Sequence, residues 1–196
     1  MKDWREYGES PLPTQLRAAL QVFARHGYHG ASIRNIAETA GLSVPGLYHH
    51  HQSKQGILAA VCAQAMGELI DHTRAADADS DGTAEGRFDN VTESMIRFHL
   101  HRRAEAFVAS TEIRSMSDEV RRVHVQQRDE LQNLIQDAIE QGVQEGTAVC
   151  SHPVDAARAV STLCVGIATW YRPDGTLDPE TIVARQLGFA RAIAGF

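Results

Sequence analysis

Apolar side chains recur along most of this chain at the three- and four-residue spacing of an amphipathic helix. Near the beginning they stand at Leu16, Ala19, Leu20 and Phe23, positions that fall on one side of a helix. No segment alternates apolar and polar residues in the way that a half-buried strand does. The pattern therefore predicts an all-α protein.

Two short helices separated by a glycine turn are predicted after this first helix. Ser32 precedes one and Ser43 precedes the other, and serine is a favoured N-cap because its hydroxyl oxygen accepts a hydrogen bond from a free backbone N–H. Gly41 supplies the backbone freedom that a sharp turn needs. Leu42 and Leu47 stand where a hydrophobic staple would form. This order of elements is the helix-turn-helix plan.

Longer helices are predicted for the rest of the chain. The expected ranges are about 53–75, 86–103, 104–115, 117–142, 153–171 and 179–194. Thr14 is expected to cap the first helix and Asp178 the last. Pro153 and Pro179 stand in first turns, where proline is tolerated. The acidic, turn-rich segment 77–82 predicts a loop.

Charge is distributed unevenly along the chain. The 196 residues include 19 Lys+Arg and 25 Asp+Glu, a net charge of −6. Residues 1–56 hold six basic and four acidic residues and five of the ten histidines, so the acidic excess lies in the remainder. A mildly basic end on an acidic body suits a protein that offers one end to a polyanion. We predict a helix-turn-helix domain over residues 10–56 and a larger helical domain over residues 57–196.

Composition argues against several kinds of protein. No apolar run approaches the ~20 residues needed to cross a bilayer. The N-terminal residues lack the apolar stretch of a signal peptide, which predicts a cytoplasmic protein without membrane contact. Cys62, Cys150 and Cys164 are far apart and odd in number, which argues against a disulfide framework and against a CxxC metal or redox site.

An enzyme, a metal sensor and a helical protein-interaction scaffold are the alternative functions. The sequence contains no GxSxG, HExxH or phosphate-loop signature, so we expect no catalytic residue. The run His49-His50-His51 raises the metal sensor, but successive helical residues point about 100° apart and do not converge on one ion. We expect no metal and no cofactor. A regulator that acts through a metal or a protein partner, without an organic effector, remains the alternative.

The start of the second short helix is the candidate DNA-reading surface. Its outward positions are expected to be Val44, Pro45, Gly46, Tyr48 and His49. Apolar and small residues there suit a surface pressed into the major groove, where thymine methyl groups favour apolar contact.

Phosphate contacts are expected around the same helix. Tyr48 and His50 offer a hydroxyl and an imidazole. Lys54 stands in the first turn of the next helix, beside free backbone N–H groups that attract anions. Ser32 and Arg34 open the preceding helix, within reach of phosphate or a base edge.

Residues 16–58, LRAALQVFARHGYHGASIRNIAETAGLSVPGLYHHHQSKQGIL, resemble the N-terminal domain of TetR-family transcriptional regulators. Members of that family are all-α homodimers, and most repress transcription until a small molecule enters the C-terminal domain and releases the palindromic operator. The resemblance implies a DNA-facing set: Ser32, Arg34, Ser43, Val44, Pro45, Gly46, Tyr48, His49, His50 and Lys54. His51 and Gln52 depart from the family, which usually has phenylalanine or another apolar residue and often proline there.

The last two helices are expected to form a dimer interface. Helices 153–171 and 179–194 are apolar on more than one side, and two copies of each would bury them in a four-helix interface. The stretch GIATWYRPDGTLDPETIV resembles the C-terminal region of a TetR branch that contains regulators of fatty-acid and steroid breakdown. Several of those respond to acyl-CoA thioesters, so the resemblance implies a small apolar or acyl-CoA effector.

The middle helices are expected to line the effector pocket, because such pockets are mostly apolar with few polar groups. The candidate residues are Met66, Leu69, Met95, Phe98, His99, Arg102, Phe107, Met116, Val120 and His124. The same residues would also suit a closed core, and their spacing does not separate the two possibilities.

Overall fold

The computed structural model describes residues 3–196, which form nine α-helices and one short 3₁₀ helix. The α-helices are α1 (Thr14–Gly30), α2 (Ile33–Thr39), α3 (Val44–His50), α4 (Lys54–Ala78), α5 (Ala84–His101), α6 (Arg103–Thr111), α7 (Asp118–Glu145), α8 (Pro153–Trp170) and α9 (Pro179–Ala194). The 3₁₀ helix, Glu112–Ser115, follows α6. No strand occurs in the described part of the chain, and the all-α prediction is confirmed.

The helices belong to two compact units. The head unit comprises Gly8–Gly67 and Ala104–Gln126. The body unit comprises residues 3–7, Glu68–Arg103 and Gln127–Phe196. The chain therefore enters the head unit twice instead of leaving it at one boundary.

The head unit has one hydrophobic core, to which α1–α4, α6 and the chain after α6 contribute. Its buried residues include Leu16, Leu20, Phe23, Ile36, Leu47, Ile57, Leu58, Val61, Val108 and Met116. The apolar positions that predicted helix α1 are thus its buried side. Burying a leucine or isoleucine side chain contributes about 1.5–3 kcal/mol, so these contacts hold the short helices α2 and α3 in place.

The N-cap of α1 differs from the sequence expectation. Thr14 is not the cap: the backbone N–H of Arg17 donates to the Pro13 carbonyl at 2.9 Å, so Thr14 already lies inside the helix. Pro13 is the N-cap and makes no side-chain bond. Gly27, with a φ of 66°, interrupts the helical geometry near the far end.

The body unit is built from longer helices, and α5, α8 and α9 pack against one another. Its fully buried side chains include Phe88, Ile96, Ile135, Ile139 and Ile167. Asp178 caps α9 by accepting a hydrogen bond from the Thr181 N–H at 2.9 Å, and prolines occupy the first turns of α8 and α9. These predictions are confirmed.

Two boundaries in the body unit were misplaced by the sequence interpretation. Helix α4 continues to Ala78, so the expected loop at 77–82 begins two residues later. The Arg87 guanidinium binds the Asp77 carboxylate at 2.9 Å, which favours keeping Asp77 in the helix. Helix α7 extends to Glu145 and ends before Gly146, whose φ is 76°.

No helix within residues 3–196 is both long enough and apolar enough to span a membrane.

Candidate nucleic-acid interface

Helix α2 presents one buried and one exposed side. Ile36 and Ala37 are buried in the head core, whereas Arg34 is exposed. Ser32 caps the helix by accepting a hydrogen bond from the Asn35 N–H at 3.1 Å. The cap satisfies a backbone N–H that the helix itself leaves free, and it fixes where α2 begins.

The turn between α2 and α3 is closed by backbone hydrogen bonds around Gly41. The Leu42 N–H donates to the Ala37 carbonyl at 2.9 Å, and the Gly41 N–H donates to the Glu38 carbonyl at 3.1 Å. This is a Schellman arrangement, which places the residue after the helix in the left-handed region. Gly41 has a φ of 69°, a conformation that side chains with a Cβ rarely adopt.

Helix α3 is anchored by one side chain and exposes most of the others. Ser43 caps it by accepting from the Gly46 N–H at 3.1 Å, and Leu47 is fully buried. Four other side chains of the helix are exposed to solvent: Pro45, Tyr48, His49 and His50. Tyr48 has 43% of its surface exposed. A helix held by its inner side and open on its outer side is suited to insertion into a groove.

Two residues of this region depart from the expectation. Val44 is half-buried and packs against the head core, so only part of its side chain faces outward. Leu42 remains 37% exposed and is not the inner lock between α2 and α3 that the staple predicted. The Schellman bonds at Gly41 already fix this turn, and they do so without burying Leu42.

Lys54 occupies a position that its sequence context did not reveal. Its Nζ donates to the carbonyl oxygens of Tyr28 and Ala31, both at 2.8 Å, and lies 4.2 Å from the centroid of the Tyr28 ring. These carbonyls stand at the end of α1, where an ammonium group is favoured by the helix dipole. Lys54 therefore joins the start of α4 to the end of α1, and two of its three N–H donors are already used.

His51 ends α3 and is half-buried, in keeping with a departure from an apolar position. Burial and the neighbouring His50 lower the pKa of His51 below its usual value. Its Nε2 has no hydrogen-bond partner within the described residues. The half-buried imidazole of His51 thus stands where the resemblance implies an apolar residue.

Comparison with known sequence families adds to this geometry. Residues 16–61 match the family described as bacterial regulatory proteins, tetR family. Residues 81–194, more than half of the chain, match a tetracyclin repressor-like C-terminal domain. The chain belongs to the TetR family. Members of this family are transcriptional regulators and not enzymes. The prediction that the chain is not an enzyme is therefore confirmed.

Individual TetR-family proteins resemble this chain along nearly its whole length. The transcriptional repressor KstR2 of Rhodococcus jostii is 25% identical over 186 residues, 92% of this chain and 89% of its own length. A tetR-family regulatory protein from Rhodococcus RHA1 has a TM-score of 0.87 at 27% identity, covering 93% of this chain and 95% of its own. AibR, solved with isovaleryl coenzyme A and operator DNA, has a TM-score of 0.78 at 24% identity, covering 89% and 97%.

The ten candidate effector residues do not fall within a single unit of this TetR-family chain. The body unit holds Leu69, Met95, Phe98, His99 and Arg102, and the head unit holds Met66, Phe107, Met116, Val120 and His124. In the head unit, Phe107, Met116 and Val120 pack with the core that contains Leu20 and Phe23. Those three side chains therefore contribute to the stability of the head unit itself.

The two polar candidates in the body unit already have protein partners. The Arg102 guanidinium makes two hydrogen bonds to the Glu68 carboxylate, both at 2.8 Å. The His99 Nδ1–H donates to the Met95 carbonyl at 2.7 Å. Complete burial lowers the pKa of His99 to about 4, so its imidazole is neutral at pH 7 and its Nε2 is an acceptor.

Two polar contacts within the head unit were missed by sequence reasoning. Gln55 Nε2 donates to the Ser115 carbonyl, and the Ser10 hydroxyl donates to Glu105 at 2.8 Å. These contacts join residues 60 and 95 positions apart in the sequence. No local spacing signals a contact over that separation, so only the folded chain reveals it. Among the described residues, no group of three or more His, Cys, Asp or Glu side chains is placed to hold a metal ion.

Proposed function

We propose that this TetR-family chain is a cytoplasmic, ligand-responsive repressor that binds double-stranded DNA through helix α3. The observation that carries the proposal is the outer side of α3, where Pro45, Tyr48, His49 and His50 are exposed while Leu47 anchors the inner side. The remaining members of the proposed DNA-facing set lie within α3 or beside it: Ser32, Arg34, Ser43, Val44, Gly46 and Lys54. The helix-turn-helix domain at 10–56 then carries DNA recognition, and residues 57–196 carry effector binding and dimerisation.

The proposed contacts divide by type. Pro45 and Tyr48 offer apolar surface for base edges in the major groove, and Arg34 and His50 offer donors for phosphate. The two hydrogen bonds from Lys54 to backbone carbonyls support a mainly structural role for this residue, which holds α4 to the end of α1. Its remaining N–H is the donor that we propose for a phosphate.

A homodimer would give the operator its symmetry. Helices α8 and α9 expose apolar side chains that a single chain leaves uncovered, among them Val154 and Phe189, which is 59% exposed. A second copy packed there would pair the two α3 helices with half-sites about one DNA turn (~34–36 Å) apart. The two-fold symmetry of such a dimer predicts a palindromic operator.

The proposed effector is a small apolar molecule or an acyl-CoA. The similarity to AibR, whose structure holds isovaleryl coenzyme A, supports this class, as does the resemblance of the C-terminal stretch. We propose that the effector binds better to a form of the protein that fits the operator poorly. DNA affinity then falls by linkage, because each ligand changes the affinity of the other by the same factor.

The direct test is selection of duplexes from a randomised library by the purified protein, followed by binding at several salt concentrations. We expect a palindromic consensus and an affinity that falls steeply with salt, as counterions are released from phosphates. Isovaleryl-CoA, a long-chain acyl-CoA and free coenzyme A are then added to the complex. Release by an acyl-CoA but not by free coenzyme A supports the effector class. No enrichment of any sequence would contradict the function.

A further inference from the structure

Residues 3–7, here called the strap, form an ordered turn ahead of the head unit. The Glu6 N–H donates to the Asp3 carbonyl at 3.1 Å, and the Arg5 N–H donates to the Asp3 carboxylate at 2.9 Å. Aspartate at the first position of a turn commonly makes this second bond. The turn directs Trp4 inward, where it is buried, and leaves Glu6 exposed.

Trp4 and Arg5 attach the strap to helices of the body unit. The indole Nε1–H donates to Asp79 at 3.0 Å, and the His72 Nδ1–H donates to the Trp4 carbonyl at 2.7 Å. The Arg5 guanidinium lies 3.8 Å from the centroid of the Trp4 ring and pairs with Glu93 at 3.0 Å. A buried indole whose N–H is satisfied is a strong anchor, because large apolar area is removed from water at little polar cost.

Tyr7 completes the attachment by stacking. Its ring stacks with two imidazoles, at centroid distances of 4.5 Å to His72 and 5.1 Å to His101, and it meets Phe98 edge-on. The hydroxyl is buried without a hydrogen-bond partner among the described residues. The ring and not the hydroxyl therefore holds Tyr7 in place.

Four residues connect the strap to Leu12 of the head unit. Leu12, which lies five residues after Tyr7 in the sequence, is buried in the head core. Pro11 and Pro13 stand in or beside this connection, and proline fixes one backbone torsion. The chain leading into α1 is thus anchored at both ends, by Tyr7 in the body unit and by Leu12 in the head unit.

We propose that docking of the strap favours operator binding, by restricting the conformations open to the chain that leads into α1. A binding partner that is ordered beforehand loses less entropy when it binds. Weakening the strap therefore lowers operator affinity, and operator binding in turn tightens the docking, because coupling between two sites is reciprocal. The inference rests on the proposed function, but docking of the strap is measurable without DNA.

The first experiment tests docking alone. Replacing Trp170 with Phe leaves Trp4 as the sole tryptophan, and acrylamide quenching then reports its exposure. We expect quenching well below that of the same chain unfolded in urea, because Trp4 is buried. Quenching equal to that of the unfolded chain would overturn the docking.

The second experiment measures operator affinity in otherwise wild-type protein. The double variant Trp4→Ala/Tyr7→Ala should bind the selected duplex about fivefold or more weakly, the lower end of usual coupling between sites. Glu6→Ala changes an exposed residue of the same turn and should leave affinity unchanged. Tyr7→Phe should also bind like wild type, because it removes only the unpartnered hydroxyl. Equal affinity for the double variant and Glu6→Ala would overturn the inference.

Circular dichroism establishes whether each variant retains its helical content. If the double variant does not fold, Arg5→Ala replaces it. This change removes the pair with Glu93 and the contact over Trp4, and it should weaken operator binding in the same direction. Failure of the wild-type protein to bind any duplex would contradict the proposed function. Normal wild-type binding with full binding by the strap variants would contradict the strap alone.

Discussion

Helices α2 and α3 of the head unit differ from the body unit in where they keep their polar side chains. On helices α2 and α3 of the head unit, Arg34, Tyr48 and His49 point to solvent, and the buried side is apolar. In the body unit, Arg97, His99 and Arg102 are buried and bound by other protein groups. The exposed groups of α2 and α3 are available to a partner, whereas these buried groups of the body unit are already bound by other groups of the protein.

This difference predicts opposite consequences of substitution. Changing an exposed residue of α3 should alter binding with little effect on stability, since surface substitutions usually change stability by less than about 0.5 kcal/mol. Changing a buried polar residue of the body unit should alter stability first. The following predictions test that contrast.

The largest effect is expected at the buried ion pair of the body unit. Arg102 and Glu68 have side chains only 7% and 14% exposed, so Arg102→Ala leaves a buried carboxylate without its cation. We expect a loss of about 3–5 kcal/mol in the free energy of unfolding, measured by urea denaturation. The matched control is Arg158→Ala, whose pair with Asp155 is exposed and should be worth less than about 1 kcal/mol. Similar losses in both variants would contradict the contrast.

His99 should make the body unit sensitive to acid. Burial lowers its pKa to about 4 from 6.5, so between these values the unfolded chain binds a proton that the folded chain does not. Stability contributed by the neutral form is therefore lost as pH falls from 6.5 to 4, by about 3 kcal/mol in total. His99→Gln should remove that part of the pH dependence in urea unfolding. An identical slope in wild type and variant would show that His99 is not held neutral.

A smaller effect is expected for two glycines in different settings. Gly41 has a φ of 69°, so Gly41→Ala should destabilise the protein by about 1–2 kcal/mol. Gly67 lies inside α4 with open space around an added Cβ, so Gly67→Ala should stabilise it by about 0.5–1 kcal/mol. Thermal unfolding measures both. Equal shifts of the same sign would contradict the left-handed role of Gly41.

Local signals in the sequence were sufficient for the helix-turn-helix. Ser32, Ser43 and Gly41 each act through hydrogen bonds or torsions within a few residues, and such effects are readable from spacing. The exposed side of α3 follows from the burial of Leu47. These features therefore matched the expectation closely.

Contacts between segments that are distant in the sequence could not be predicted from it. Lys54 binds carbonyls 23 and 26 residues away, and Trp4 binds Asp79, 75 residues away. The division of the ten effector candidates between the two units likewise depends on contacts that join distant parts of the sequence. An apolar helical pattern shows which side is buried, but not which neighbour covers it.

The most direct test of the account is the affinity of three proteins for the selected duplex: wild type, Tyr48→Ala on α3, and Gln64→Ala on the exposed side of α4. All three should unfold at similar urea concentrations. We expect Tyr48→Ala to bind at least about tenfold more weakly, a difference of 1.4 kcal/mol, and Gln64→Ala to bind like wild type. Wild-type affinity for Tyr48→Ala would contradict the claim that the outer side of α3 contacts DNA.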